Sequence, residues 1–455
     1  MIERKGEEMR SPFKRSIPYH ILILTMLIIA GCAGSNTTSQ IKYPANPTTQ
    51  VNVVASPQTI QVSIGQLSPT IDRVAQQVLD NISQHGWNPQ AQTHGKVTGG
   101  LFINWQMDNP NQTNALKAGS DGETAGSHDP QVDLYYLNAL AEYTTLHTAD
   151  HRYDGEVQKA TRQVEFDFQN YSVPKGWIYF TLLRDGLLLK NDTLVNDAHT
   201  LARNFYTHWY DPEVGIVFNR AHIPGNVNVE HALNCGAALI DAGNRWDQPD
   251  WIQAGKSTLD HMLTFAIDPH YHLFYNSIEV TADKQLQIQN YQAKPSTQSN
   301  GAKALIDAYT ATHDQHYLNI AGQMLQNMFA SSLWDNTDQG LFFALDMDTG
   351  TVEQHYKETR SQTLSLIALY HYNQALQQLK QPAQWLDKEQ QLIDIIANRF
   401  YQSTYHGYFY RMTPNYRVYV SSPGKGIGLE DYFTTEAMGT ALDSLQQTEF
   451  AHIQL

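Results

Sequence analysis

Two kinds of apolar pattern alternate along this chain. In the first, apolar side chains recur every three or four residues with polar ones between. Segment 68–85 puts Ile71, Val74, Ala75, Val78, Leu79 and Ile82 on one stripe. Segment 194–209 does so with Leu194, Val195, Ala198, Leu201, Ala202, Phe205 and Trp209, and 317–333 with Tyr317, Ala321, Met324, Leu325, Met328 and Phe329. Segments 154–171, 249–266 and 384–401 behave alike. These patterns predict helices that bury one face and wet the other. The second kind is apolar nearly all round, as in Thr181–Leu189, 229–243 and Leu364–Tyr370. Segments 130–146, 298–311 and 431–446 are milder versions. A helix without a wet face lies inside.

The pattern therefore predicts six outer helices, the six amphipathic segments above. It also predicts six inner ones, near 130–146, 176–190, 229–243, 298–311, 359–379 and 431–446. They alternate strictly, beginning outer and ending inner. A short β-like run recurs between them, beginning at Gly100, Gly215, His272, Gly340 and Gly407, with gaps of 115, 57, 68 and 67 residues. The first gap is about two periods, so one unit lacks its copy. A fixed order of elements at a fixed period marks a repeat architecture. The first outer and last inner helices are each left without a partner, and packing 68–85 beside 431–446 closes a ring. The expected fold is all-α, an (α/α)6 toroid of six helical hairpins with short β-like runs in the loops on one face. This alternation, the six-fold count and the G-x-F-x-N-like run resemble the six-hairpin glycosidase superfamily, whose architecture the N-acylglucosamine 2-epimerase-like proteins share. The resemblance spans about 68–447. It implies a carbohydrate substrate or ligand and a site at the mouth where outer-to-inner loops gather. It carries no adjacent Asp-Asp pair of the kind seen in the related α-1,6-mannanases.

The N-terminus adds a second resemblance. Arg4, Lys5, Arg10, Lys14 and Arg15 precede an apolar run, Ile21–Ala30, too short to span a bilayer comfortably. The run ends Leu27-Ile-Ile-Ala-Gly-Cys32, which resembles the bacterial lipoprotein cleavage box. That implies removal of residues 1–31 and lipidation of Cys32, hence an extracytoplasmic chain held to a bacterial membrane through its N-terminal lipid only. Residues 32–67 are rich in Ser, Thr, Asn, Gln and Pro and read as a flexible spacer ahead of a barrel domain, 68–455. Val51–Val54 and Ile60–Ile64 are expected to form a short strand pair.

Composition removes several function classes. A formal charge of −15 without a Lys/Arg cluster beyond the N-terminus argues against a nucleic-acid partner. Of the two cysteines, Cys32 belongs to the targeting signal, so no disulfide framework forms, and Cys235 reads as a small buried hydrophobe. There is no Gly-rich phosphate loop or Ser-centred elbow, and no cofactor is expected. His270 and His272 lie in a recurrent turn without a ligand cluster. The Asp335 and Asp346 segments faintly resemble calcium loops but lack the regular spacing and terminal Glu, so turn chemistry accounts for them and no metal is expected.

Charge collects where inner helices begin. His128, Asp129 and Asp133 open the first, with Asp129 before Pro130 also a good N-cap. Glu230 and His231 open the third, Glu358 and Arg360 the fifth, Glu430 and Asp431 the sixth. Trp177 and Tyr179 open the second and are placed to stack on a sugar ring or to join the core. Arg184 and Asp185 sit inside an apolar helix and are expected to pair structurally with neighbouring inner helices. Hydrolysis of a glycosidic bond needs one carboxylic acid and one carboxylate. The candidates are Asp129 or Asp133 against Glu230, Glu358 or Glu430, with His128, Trp177, Tyr179, His231, Arg360 and Asp431 as substrate-binding residues. An epimerase would use His128 and His231, a lyase a base with Arg360, and a non-catalytic glycan-binding lipoprotein only aromatics and amides. Converging carboxylates are expected to repel and so raise at least one carboxyl pKa.

Overall fold

The computed structural model describes residues 61–107, 109–111, 113, 128–218, 223–419 and 432–454. These hold twelve α-helices. The outer ones are α1 (Pro69–His85), α3 (Asp154–Phe168), α5 (Asp192–Asn204), α7 (Pro249–Phe265), α9 (Gln315–Ala330) and α11 (Leu386–Asp394). The inner ones are α2 (Pro130–Leu146), α4 (Gly176–Leu189), α6 (Val229–Arg245), α8 (Pro295–Thr312), α10 (Thr359–Gln378) and α12 (Thr435–Gln447). Each inner helix packs on the next, and α12 packs on α2 and α1, so the ring closes as an (α/α)6 toroid. Val78 and Leu442, far apart in sequence, are both buried in the common core.

Stripe residues of α1 such as Val74, Val78 and Ile82 are fully buried, as the pattern requires. Helix α6 buries Leu233, Cys235, Ala238 and Ile240 on several sides. Cys235 is a free, buried thiol, and burial pushes its pKa up. Arg184 meets Asp443 at 2.8 Å and Glu142 at 3.4 Å, a structural cluster across three inner helices. Burial pushes the carboxyls of Glu142 and Asp185 well up, so the interior carries less charge than its composition suggests.

The recurrent runs are the loop scaffold of one face. Asp211, Asp268 and Asp335 each accept backbone N–H bonds from the two and three residues that follow, closing a turn. The corner residue four positions on has positive φ each time: Gly215, His272 and Gln339, with His406 in the equivalent place after Gln402. Asp346 closes the same kind of turn through Asp348 and Thr349. The unit without a run is the second, where only residues 169–175 join α3 to α4. A side chain at the fourth position of an inner helix then clips the run. Gln298 holds both the N–H and the C=O of Phe274, and Gln362 does the same for Leu341.

Two elements depart from the expected plan. Gln61–Ile64, inside the segment read as spacer, pairs antiparallel with the C-terminal strand Phe450–Gln454, and Val51–Val54 lies outside the described residues. Helix α12 begins at Thr435, not near 431, because Tyr432–Thr434 is a strand paired with Asn104–Gln106 and Thr434 caps the helix. Its β-branched and aromatic residues suit a strand.

The seam between α1 and the C-terminal strand holds a buried titratable group. Buried Glu449 accepts the Ser68 backbone N–H at 2.6 Å, beside the start of α1. Burial pushes its carboxyl up to about 7, with Asp72 adding to the rise and the Ser68 N–H opposing it. A carboxyl raised on folding gives stability that is complete below its unfolded value and is lost as pH climbs through the folded one. Relative to Glu449→Gln, the wild type should therefore lose roughly 3 kcal/mol between about pH 4.5 and pH 7.5. Urea unfolding at several pH values checks this, and parallel stability profiles for the two proteins would refute it.

Candidate active site

The six inner helices point their N-termini into a cavity of about 370 Å³. Its wall follows a positional rule. Every N-cap lines it: Asp129, Lys175, Asn228, Lys294, Glu358 and Thr434. So does every second helical residue: Gln131, Trp177, Glu230, Ser296, Arg360 and Glu436. Tyr135, His231, Phe343, Tyr410 and Arg411 complete much of the remaining wall. A smaller cavity of about 170 Å³ lies in the barrel lumen and shares Tyr135, Trp177 and Arg360 with the mouth. These three form the layer between the two spaces.

Charges in the mouth are paired across helices. Arg360 Nη2 lies 2.7 Å from Glu230 Oε1, and its Nε lies 3.7 Å from Glu436 Oε1. Arg411 donates through Nε and Nη2 to Glu358 Oε1 at 3.0 and 2.8 Å, so Glu358 does not pair with its neighbour Arg360. Burial alone would push the Glu230 carboxyl up, but Arg360 and then His231 outweigh it and hold it below the usual carboxylate range. At Glu230, therefore, the expected rise does not occur, because Arg360 from α10 and the neighbouring His231 outweigh burial.

Aromatic surface lies beside these charges. Trp177 stacks on Tyr135 with ring centroids 4.9 Å apart and an interplanar angle of 4°. Asp129 caps α2 by accepting the Gln131 N–H at 2.9 Å, so it is both a cap and a wall residue.

The structure brings together Asp129, Glu230, Glu358, Trp177, His231 and Arg360, as the sequence suggested. It does not bring Asp133, His128 or Tyr179 there. Asp133 is buried, and its Oδ1 accepts the Leu101 N–H at 2.7 Å, the clip position that Gln298 and Gln362 occupy in other units. His128 lies behind the rim against Asp133. Tyr179 is fully buried and donates to Asp241 Oδ2 at 2.5 Å between α4 and α6. It sits two residues past Trp177, a rotation of roughly 200° about the helix axis. Glu430 and Asp431 lie outside the described residues, as does Cys32. They precede the strand Tyr432–Thr434 and do not open the sixth helix, whose first-turn acid is Glu436. Glu436, Arg411, Tyr410, Lys175 and Lys294 were not among the site residues expected from the sequence, although Lys175 and Lys294 stand at inner-helix starts.

No family model matches the chain, and no curated protein matches it either. Solved structures do. An unsaturated glucuronyl hydrolase specific for heparin superposes with a TM-score of 0.57 at 12% identity, over 83% of this chain and 96% of that one. D-mannose isomerase gives 0.58 at 13% identity, over 84% and 98%. An inactive variant of an α-1,6-mannanase of Salegentibacter sp. HEL1_6, in complex with α-1,6-mannotetrose, gives 0.57 at 11% identity, over 83% and 98%. At such identities the likeness is one of fold, and it agrees with the six-hairpin toroid.

Proposed function

We propose that this chain is a carbohydrate-active enzyme, a glycoside hydrolase working at the toroid mouth. The observation that carries the reading is the facing pair Glu230 and Glu436. They stand at the same helical position on α6 and α12, which are diametrically opposite in the ring, and both reach one guanidinium. That spread is compatible with the roughly 5–9.5 Å separations of hydrolase carboxylate pairs. Glu230, held ionised, serves as base or nucleophile. Glu436 is farther from Arg360 and, with its side chain 31% exposed, is the member of the pair placed to carry a proton to the leaving oxygen. The Tyr135–Trp177 platform offers a flat apolar face to a sugar ring, and the helix N-termini favour developing negative charge.

The rival chemistries lack parts. Among the described residues His231 is the only histidine in the wall, so no histidine pair stands ready for epimerisation. Arg360 is already engaged by two carboxylates, which leaves it poorly placed as a clamp for a lyase substrate. Mass spectrometry of an oligosaccharide panel, including α-linked mannosides and uronate-bearing chains, tests the reading. A hydrolase yields products whose masses sum to substrate plus one water. Unchanged mass, unsaturated products, or binding without turnover would each replace it.

The lipid anchor belongs to the same proposal, and its support is the Leu27–Cys32 segment alone. No helix among the described residues is long and apolar enough to cross a membrane. Cys32→Ala should leave uncleaved precursor and abolish incorporation of a labelled fatty acid. Labelling that persists in the variant would remove the anchor.

A further inference from the structure

Behind the rim, outside the cavity, three donor atoms face one another. His128 Nε2 lies 2.9 Å from Asp133 Oδ2 and 3.5 Å from Asp167 Oδ2, and all three atoms fall within 4.8 Å of one another. The side chains are 2%, 2% and 0% exposed. Each comes from a different segment: the loop leading into α2, α2 itself, and the last turn of α3. Each carboxylate has committed its other oxygen, Asp133 Oδ1 to the Leu101 N–H and Asp167 Oδ1 to Gln163 Nε2 at 2.8 Å. Fixing one oxygen so that the other is aimed is how protein groups orient metal ligands.

The inward atoms meet one another at ion-pair distance but not in hydrogen-bond geometry. Neither ring nitrogen of His128 makes a hydrogen bond of ordinary geometry, and neither do Asp133 Oδ2 and Asp167 Oδ2. Buried polar atoms without such partners are costly and rare. With a neutral imidazole the cluster carries two negative charges, which one divalent cation balances. Corners of a tetrahedral site with bonds of roughly 2.0–2.2 Å are about 3.3–3.6 Å apart, against 2.9 and 3.5 Å for the two edges at His128. One nitrogen and two carboxylate oxygens in a dry site do not suit calcium, which takes six to eight oxygens, or magnesium, which keeps its waters. They do suit zinc.

We infer that His128, Asp133 and Asp167 bind a zinc ion that clasps the end of the first long loop to α2 and α3. The clasp sits one residue before Asp129 and so sets that wall residue from behind.

Calorimetric titration of the chelator-treated full chain with Zn²⁺ tests this. One zinc per chain is the expected result. His128→Gln and Asp167→Asn should each weaken binding at least about 100-fold. Because either variant risks misfolding, Co²⁺ added to the wild type provides a second readout, and the visible bands of a tetrahedral site should appear and be displaced by Zn²⁺. No uptake at equimolar metal, a cobalt spectrum without those bands, or equal zinc binding in two folded variants would each overturn the inference.

Discussion

Glu230→Gln should lower turnover of the glycan roughly 10³-fold while leaving binding within about a factor of three. The substitution keeps the oxygen that accepts from Arg360 and removes only the charge, so geometry survives and chemistry does not. Arg360 also keeps Glu436, which limits the stability cost to about 1–2 kcal/mol. Glu436→Gln should behave differently. An acid is needed to protonate a poor leaving group, so this variant should lose a similar factor on a natural glycoside yet recover much of it on an aryl glycoside with an acidic phenol. Steady-state kinetics on both substrate types checks the pair. Equal losses on both for Glu436→Gln would move the acid to another wall carboxylate, with Asp129 next in line. Full activity of Glu230→Gln would remove Glu230 from the mechanism.

Gly176→Ala should destabilise the domain by about 3 kcal/mol or more, the upper end of overpacking costs. A Cβ at Gly176 would lie 2.2 Å from the carbonyl carbon of Asn234, 2.3 Å from its oxygen and 2.4 Å from the Cys235 nitrogen. These are backbone atoms of α6, and no rotamer change relieves them. Helix α4 must move off α6, and Trp177, next in sequence, moves with it. The variant should thus lose both denaturant resistance and activity. A stability within about 0.5 kcal/mol of wild type would show that the two helices are less closely packed than described.

Much of the ring was legible because periodicity reports burial directly. The stripe Ile71–Ile82 and the all-round apolar 229–243 segment needed no tertiary information to be told apart as outer and inner. The acids at inner-helix starts were legible for the same reason, since a helix start fixes which residues face the mouth. What failed was a matter of register. Placing the sixth helix near 431 selected Glu430 and Asp431, while the strand Tyr432–Thr434 pushes the start to Thr435 and puts Glu436 at the wall. Tyr179 and Asp133 were nominated for proximity to a helix start, yet both stand at its fourth residue, a position that faces the structure behind the wall. Asp133 there does with a carboxylate what Gln298 and Gln362 do with amides. The ion pairs of the mouth were beyond the sequence. Glu230 meets Arg360, 130 residues on, and Glu358 meets Arg411, 53 residues on, and only the closed ring brings either pair together.

A crystal structure of Glu230→Gln soaked with an oligosaccharide that the wild type cleaves is the most direct measurement. A glycosidic oxygen within hydrogen-bond reach of Glu436, its anomeric carbon facing residue 230 and a sugar ring on Trp177, is the predicted result. A glycan seated away from the inner-helix N-termini, or one whose scissile bond touches neither residue 230 nor Glu436, would contradict the account.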